Sequence, residues 1–132
     1  MGNVNMLGVL AGAAAFFVVG MVWYGLLFSR VWQRAAGLTA DDLQRGNPVV
    51  IFGLCFAFEL LIALMLGHNI ARTNPQPHVI MMMAIGFGAT IMTPAIGICY
   101  LFLRKPGTLF AIDAGHFIVG MAAMGGVFVW LR

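Results

Sequence analysis

The sequence predicts an all-α integral membrane bundle of four transmembrane helices, with a short cytoplasmic surface helix between helices one and two. Composition is the first reason. The chain has 132 residues, of which 62% are hydrophobic and only 8% are charged, whereas soluble domains carry about 25% charged residues. The second reason is four apolar runs, at about 6–28, 49–70, 79–103 and 109–131, each near the ~20 residues that cross a bilayer. We expect one domain, residues 1–132.

The apolar runs are expected to be helices because they lack the two-residue alternation of membrane β-strands. The first run, 6–28, is expected to remain in the protein as a helix. It has no basic residue before Arg30, and it is longer than the apolar region of a signal peptide.

The basic residues predict the orientation. Loops one and three contain five of them and the opposite side two: Arg30, Arg34, Arg45, Arg104 and Lys105 against Arg72 and Arg132. The positive-inside rule therefore places loops one and three in the cytoplasm and both termini outside. An inverted or dual topology is the alternative. The net charge of +3 does not indicate nucleic-acid binding, because the basic residues form no patch.

The first loop contains two signals. Arg30, Trp32 and Arg34 are typical of an interfacial anchor, with the indole at the level of the lipid headgroups. Thr39, followed by Asp42 three residues later, predicts a capping box at the start of the short surface helix.

The second and third helices have local signals of their own. Asn47 before Pro48 predicts the capped start of the second helix. Pro94 is expected to bend the third helix and to free a carbonyl near Thr90. The hydroxyl of Thr90 or Thr93 would then satisfy that carbonyl.

Three ionisable side chains inside the apolar runs are the main functional candidates: Glu59, Asp113 and His116. At membrane depth such groups cost several kcal/mol unless they are paired, protonated or in contact with water. Counting about 1.5 Å per residue from Pro48 places Glu59 roughly 16 Å deep, near the bilayer centre. Asp113 and His116 are three residues apart and share a helix face. Further candidates for lining a pocket are Trp23, Tyr24, Asn47, Thr93 and Tyr100.

Each candidate also has a purely structural interpretation. Asp113 is then an acid in the first turn of its helix, and His116 is a packing residue. Tyr24 and Tyr100 are aromatic residues of the membrane interface. Glu59 is a protonated or hydrogen-bonded carboxyl group that joins helices or protomers.

No metal or cofactor is expected. Cys55 and Cys99 are single thiols in apolar runs, and three consecutive methionines point in different directions on a helix, so they form no common site. Because no catalytic motif is present, the protein is not expected to be an enzyme.

Several segments together resemble a known family. They are the stretch 20–28 with Trp23 and Tyr24, then Trp32, the stretches 37–39 and 46–48, and Ile112 to Gly115. The chain resembles the domain of unknown function 1761 family of small bacterial membrane proteins. The resemblance implies four membrane helices in the bacterial cytoplasmic (inner) membrane and supplies no activity. The family residues it matches are Trp23, Tyr24, Trp32, Asn47 and Asp113.

The resemblance also separates two of the candidates from the family pattern. His116 stands where a tyrosine is expected after Asp113-Ala114-Gly115, and Glu59 is outside the pattern.

Two classes of function follow. The first is a proton-linked transporter or channel-like oligomer, with Glu59 as the titrating centre and a small-molecule or ion substrate of unknown identity. The alternative is a non-enzymatic accessory or assembly protein of a membrane complex. In both, the partners expected are the lipid bilayer and further copies of the chain, and nucleic acid is not one of them.

Overall fold

The structure is a computed structural model that describes residues 3–132. It is 86% helical, with no strand in the part of the chain it describes. Four helices are long and apolar enough to cross a membrane: Met6–Leu27, Pro48–Thr73, Pro77–Leu103 and Gly107–Trp130. The predicted all-helical class and its four apolar helices are confirmed.

The helices follow one another with two π-helical interruptions. The elements are α1 (Met6–Val22), the first π turn (Trp23–Leu27), α2 (Ser29–Ala36), α3 (Ala40–Gln44), α4 (Pro48–Thr73), α5 (Pro77–Phe87), the second π turn (Gly88–Met92), α6 (Thr93–Leu103) and α7 (Gly107–Trp130).

Side-chain caps explain where two of these helices begin. The Asn47 side chain accepts a hydrogen bond of 2.9 Å from the amide of Val49, and so caps α4. At α3, Thr39 accepts from the amide of Asp42 at 3.1 Å, and Asp42 accepts from the amide of Thr39 at 3.0 Å. These two bonds form the capping box that the sequence predicts.

Helix α2, Ser29–Ala36, was not predicted from the sequence, although it contains Arg30, Trp32 and Arg34. It begins without a side-chain cap and ends at Gly37, whose φ of 74° is the left-handed conformation that closes a helix. The segment is too short for apolar periodicity to reveal it.

The third long helix is interrupted directly before Thr93 and Pro94, where the second π turn ends. Thr90 Oγ1 donates to the Gly86 carbonyl at 2.5 Å, and Thr93 Oγ1 donates to the Gly88 carbonyl at 2.7 Å. The two hydroxyls therefore bond backbone carbonyls in the preceding turns.

The helix order sets the position of the site. Helix α7 is the most buried of the long helices and packs against α1 and α5, while α4 packs mainly against α1. Helices α4 and α7 approach each other near Gly67, where an added Cβ would lie 3.2 Å from Phe128. The largest fully buried side chains are Phe16, Leu66, Ile80, Met121 and Met124.

Candidate functional site

The Asp113 carboxylate joins three parts of the chain. Tyr24, in the first π turn, donates its hydroxyl hydrogen to Oδ1, and Tyr100, in α6, donates to Oδ2. Asp113 itself lies in α7 and is only 6% exposed. Hydrogen bonds to an ionised acceptor are about twice as strong as neutral ones, so these contacts hold the end of the first and third long helices to the start of the fourth.

The first π turn places two consecutive aromatic residues against α7. Trp23 Nε1 donates to the Ile112 carbonyl at 2.9 Å, and Tyr24 reaches Asp113 beside it. The widened turn is closed by the amide of Phe28, which bonds to the Trp23 carbonyl at 2.9 Å. π turns of this kind are found frequently at functional sites.

Gly115 makes room for this indole. A Cβ added at Gly115 would lie 2.9 Å from Cζ2 of Trp23, which is closer than carbon atoms approach without a shift. The indole is held by its bond to Ile112 and is not free to move away. A glycine at this position of α7 is therefore part of what positions Trp23 and Tyr24.

His116 lies one turn beyond Asp113 in α7, is 7% exposed and is surrounded by aromatic rings. The centroids of Tyr24, Phe117 and Phe16 lie 4.9, 4.9 and 5.1 Å from that of the imidazole. Both ring nitrogens are buried and have no hydrogen-bond partner among residues 3–132. Because an unpaired buried polar group costs about 1–3 kcal/mol, this imidazole is suited to a polar ligand or to water.

Glu59 shares a cavity with His116. Its Oε1 atom is buried and is not hydrogen-bonded to any residue that the structure describes. The Glu59 cavity, of about 260 Å³, lies between α1, α4 and α7. It is lined by Phe17, Gly20, Met21, Tyr24, Gly25, Phe52, Cys55, Glu59 and His116.

A second cavity, of about 530 Å³, shares Tyr24 and His116 with the Glu59 cavity. This Asp113 cavity is lined by Tyr24, Trp32, Ala36, Leu38, Ile96, Tyr100, Lys105, Leu109, Asp113, His116 and Phe117. The two carboxyl groups, Glu59 and Asp113, thus line different cavities that share Tyr24 and His116.

The structure gathers five of the predicted candidates in one place: Trp23, Tyr24, Tyr100, Asp113 and His116. Two others lie elsewhere. Asn47 is exposed and caps α4, while Thr93 bonds to a backbone carbonyl inside the third long helix.

Sequence reasoning missed several lining residues. Phe17, Phe52 and Cys55 line the Glu59 cavity, and Lys105 lines the Asp113 cavity. The aromatic and cysteine residues carried no signal, because side chains of this kind are common in any apolar helix. Gly20 lies in the family-like stretch 20–28 but was not predicted as a site residue, although a Cβ added there would lie 3.0 Å from Nε2 of His116.

The arrangement does not resemble a metal centre. Among residues 3–132, no three His, Cys, Asp or Glu side chains are grouped so that they could hold an ion. The chemistry available is the binding of a proton, of a cation or of a polar group by Glu59 and His116.

Comparison with known proteins gives the family. Neither a curated protein nor a solved structure matches the chain. The family model described as "Protein of unknown function (DUF1761)" matches residues 7–129. This range includes every residue of the two cavities, and it covers nearly the whole chain. The chain therefore belongs to the DUF1761 family.

Proposed function

We propose that the protein is a proton-linked membrane transporter whose path runs through the Glu59 cavity and the Asp113 cavity. The observation that supports this proposal is that Tyr24 and His116 line both cavities, and that each cavity is also lined by a carboxyl group. Ionisable groups in membrane helices generally mark paths for ions, protons or substrates.

The exposed apolar side chains of the protein support its placement in a membrane. Large apolar side chains on α4 are exposed, and they suit contact with lipid tails: Val49, Leu54, Phe58 and Leu61. In the orientation that the basic residues favour, Lys105 and α2 lie on the cytoplasmic side. The Asp113 cavity would then open toward the cytoplasm, and the Glu59 cavity would lie deeper in the bilayer.

The two carboxyl groups are suited to different tasks. Asp113 receives hydroxyl hydrogens at both oxygens, which fixes its position and compensates its charge. Glu59 has a buried oxygen that no described residue satisfies. Since an unpaired buried charge is costly, Glu59 is the group we expect to exchange a proton for a cation, with His116 facing the same cavity.

Proton flux into liposomes tests the proposal. We expect purified protein in liposomes to dissipate an imposed pH gradient, measured with an enclosed pH-sensitive dye. Glu59→Gln, which keeps the side-chain shape, is expected to abolish the flux. Asp41→Asn, at an exposed acid of α3, is the matched control and should conduct like the wild type. Unchanged flux in Glu59→Gln would contradict the proposal.

The exposed face of α4 favours a second candidate function, that of a non-enzymatic accessory or assembly protein. Leu54, Phe58, Leu61 and Leu64 are exposed, and this face would pack against another copy of the chain or a partner helix. In that case Phe58→Glu, which places a charge on this exposed face, changes the oligomeric state or the yield, whereas Glu59→Gln preserves function. Identical size profiles and yields for wild type and Phe58→Glu would count against it.

A further inference from the structure

We propose that the Glu59 cavity binds a small protonated amine with an apolar body, pairing the ammonium group with the Glu59 carboxylate and the body with aromatic rings of α1 and α4. This inference names the substrate class of the transporter proposed above and rests on that function.

The polar groups of the cavity favour a cation with N–H donors. Glu59 is the acid that lines it, and the lining residues include no Lys or Arg, so within the described chain no cationic side chain faces the carboxylate there. Buried charges are normally paired. Neutral imidazole has one accepting nitrogen, and both nitrogens of His116 are unpartnered within residues 3–132. An ammonium group can donate to both side chains, because it carries several N–H bonds.

The apolar walls favour an organic cation over a metal ion. Hard cations such as Ca²⁺ or Mg²⁺ take about six or more oxygen ligands, while the side chains of this cavity offer the Glu59 carboxylate and the Tyr24 hydroxyl. Phe17 and Phe52 meet edge to face, with ring centroids 6.1 Å apart. Aromatic faces attract ammonium groups by about 0.5–2 kcal/mol, and they also accept an apolar ring.

The size and position of the cavity define the ligand further. A volume of about 260 Å³ is just below the usual range of ~300–1,000 Å³ for ligand pockets, so the ligand should contain about one ring. Met21 and Phe52 line the cavity and are 49% and 45% exposed. The cavity therefore opens sideways between α1 and α4, where an amphiphilic amine partitioned into the bilayer can enter.

Binding of 2-phenylethylamine tests the inference directly. Protein in lipid nanodiscs is dialysed to equilibrium against the labelled amine at constant pH, with protein-free nanodiscs as the blank. We expect saturable binding and little competition from 2-phenylethanol, which has the same shape without the charge. Glu59→Gln should weaken binding by at least about tenfold, because it removes one partner of a buried charge pair. Asp41→Asn should bind like the wild type.

A second pair of variants tests the cavity with the carboxylate intact. A Cβ added at Gly25 or at Gly53 meets no atom within 4 Å, and only Gly25 lines the cavity. Gly25→Leu should fill the space and weaken binding by about tenfold or more, while Gly53→Leu should have no effect. Cys55 lines the cavity and Cys99 does not, so the amine should slow N-ethylmaleimide labelling of Cys55 alone.

The outcomes separate this inference from the proposed function. Equal binding by Glu59→Gln and wild type, or equal competition by 2-phenylethanol, would overturn the inference. Glu59-dependent proton flux without amine binding would also overturn it and leave the transporter proposal standing. Glu59-dependent amine binding without flux would support the inference and contradict transport.

Discussion

The Tyr24 hydroxyl donates to Oδ1 of Asp113, a residue 89 positions later in the sequence. This single bond fastens the end of the first long helix to the start of the fourth. Tyr100 donates to the other oxygen of the same carboxylate, so one acid near one end of the bundle holds three of its four long helices.

Removing either phenol hydroxyl should destabilise the bundle. We expect Tyr24→Phe to lower the free energy of unfolding by about 1.5–3 kcal/mol, the usual value for a hydrogen bond to a charged group. Thermal unfolding in detergent micelles measures this, and Tyr24→Phe combined with Asp113→Asn should cost less than the sum of the two single changes. Wild-type stability in Tyr24→Phe would show that the bond does not hold the helices together.

The contact between Gly115 and Trp23 gives a prediction with an internal control. Gly115→Ala introduces a Cβ 2.9 Å from the indole, and overpacking of this kind costs about 1–3 kcal/mol. Gly126→Ala, in the same helix, meets nothing within 4 Å and should be neutral or stabilising, since alanine favours helices by about 0.5–1 kcal/mol over glycine. Comparison of the two unfolding temperatures is the measurement, and equal temperatures would contradict the close packing.

The capping box of α3 predicts a pH dependence. Hydrogen bonds from the backbone and side chain of Thr39 lower the pKa of Asp42 below its ordinary value of 3.8. These hydrogen bonds therefore contribute their full stabilisation of folded α3 at pH values above 3.8. That stabilisation is lost as the pH falls through the lower pKa of Asp42 in the folded state. NMR titration of the Asp42 carboxyl carbon should show the low midpoint, and Thr39→Ala should raise it. Because the backbone amide of residue 39 remains in this variant, the same midpoint in both proteins would show that the Thr39 hydroxyl does not contribute to the lowered pKa.

The orientation proposed from the basic residues can be measured with single cysteines. In a background without Cys55 and Cys99, Gln44→Cys should react with a membrane-impermeant maleimide only after the cells are lysed. Gln76→Cys, in the second loop, should react in intact spheroplasts. Each variant serves as the control for the other, and the reverse pattern would invert the topology.

The sequence was sufficient for the elements that depend on local chemistry. Hydropathy marked the four long helices, and Thr39 with Asp42 marked the capping box. The second helix extends to Thr73, beyond the predicted end at residue 70, because hydropathy detects the apolar length and not the helical length. The separation of three residues between Asp113 and His116 correctly placed both on one face of α7.

The assembly of the site depended on the order of the helices, which no local signal specifies. Helix α1 packs against both α4 and α7, which make few contacts with each other, and Glu59 faces His116 across a cavity. The contact of Trp23 with Gly115 likewise joins segments distant in sequence, and neither residue alone indicates its partner. The family pattern was the better guide here, since Trp23, Tyr24 and Asp113 meet in one cluster.

Tyr24 lines both cavities, and its hydroxyl also connects the first long helix to the fourth through Asp113. Swinging its ring aside to connect the two cavities would break its bond to Asp113. A continuous passage past Tyr24 is therefore incompatible with an intact hydrogen bond between Tyr24 and Asp113. A change that strengthens this hydrogen bond keeps the passage closed. The rate of transport between the two cavities and the rigidity of the bundle near Asp113 should therefore vary in opposite directions.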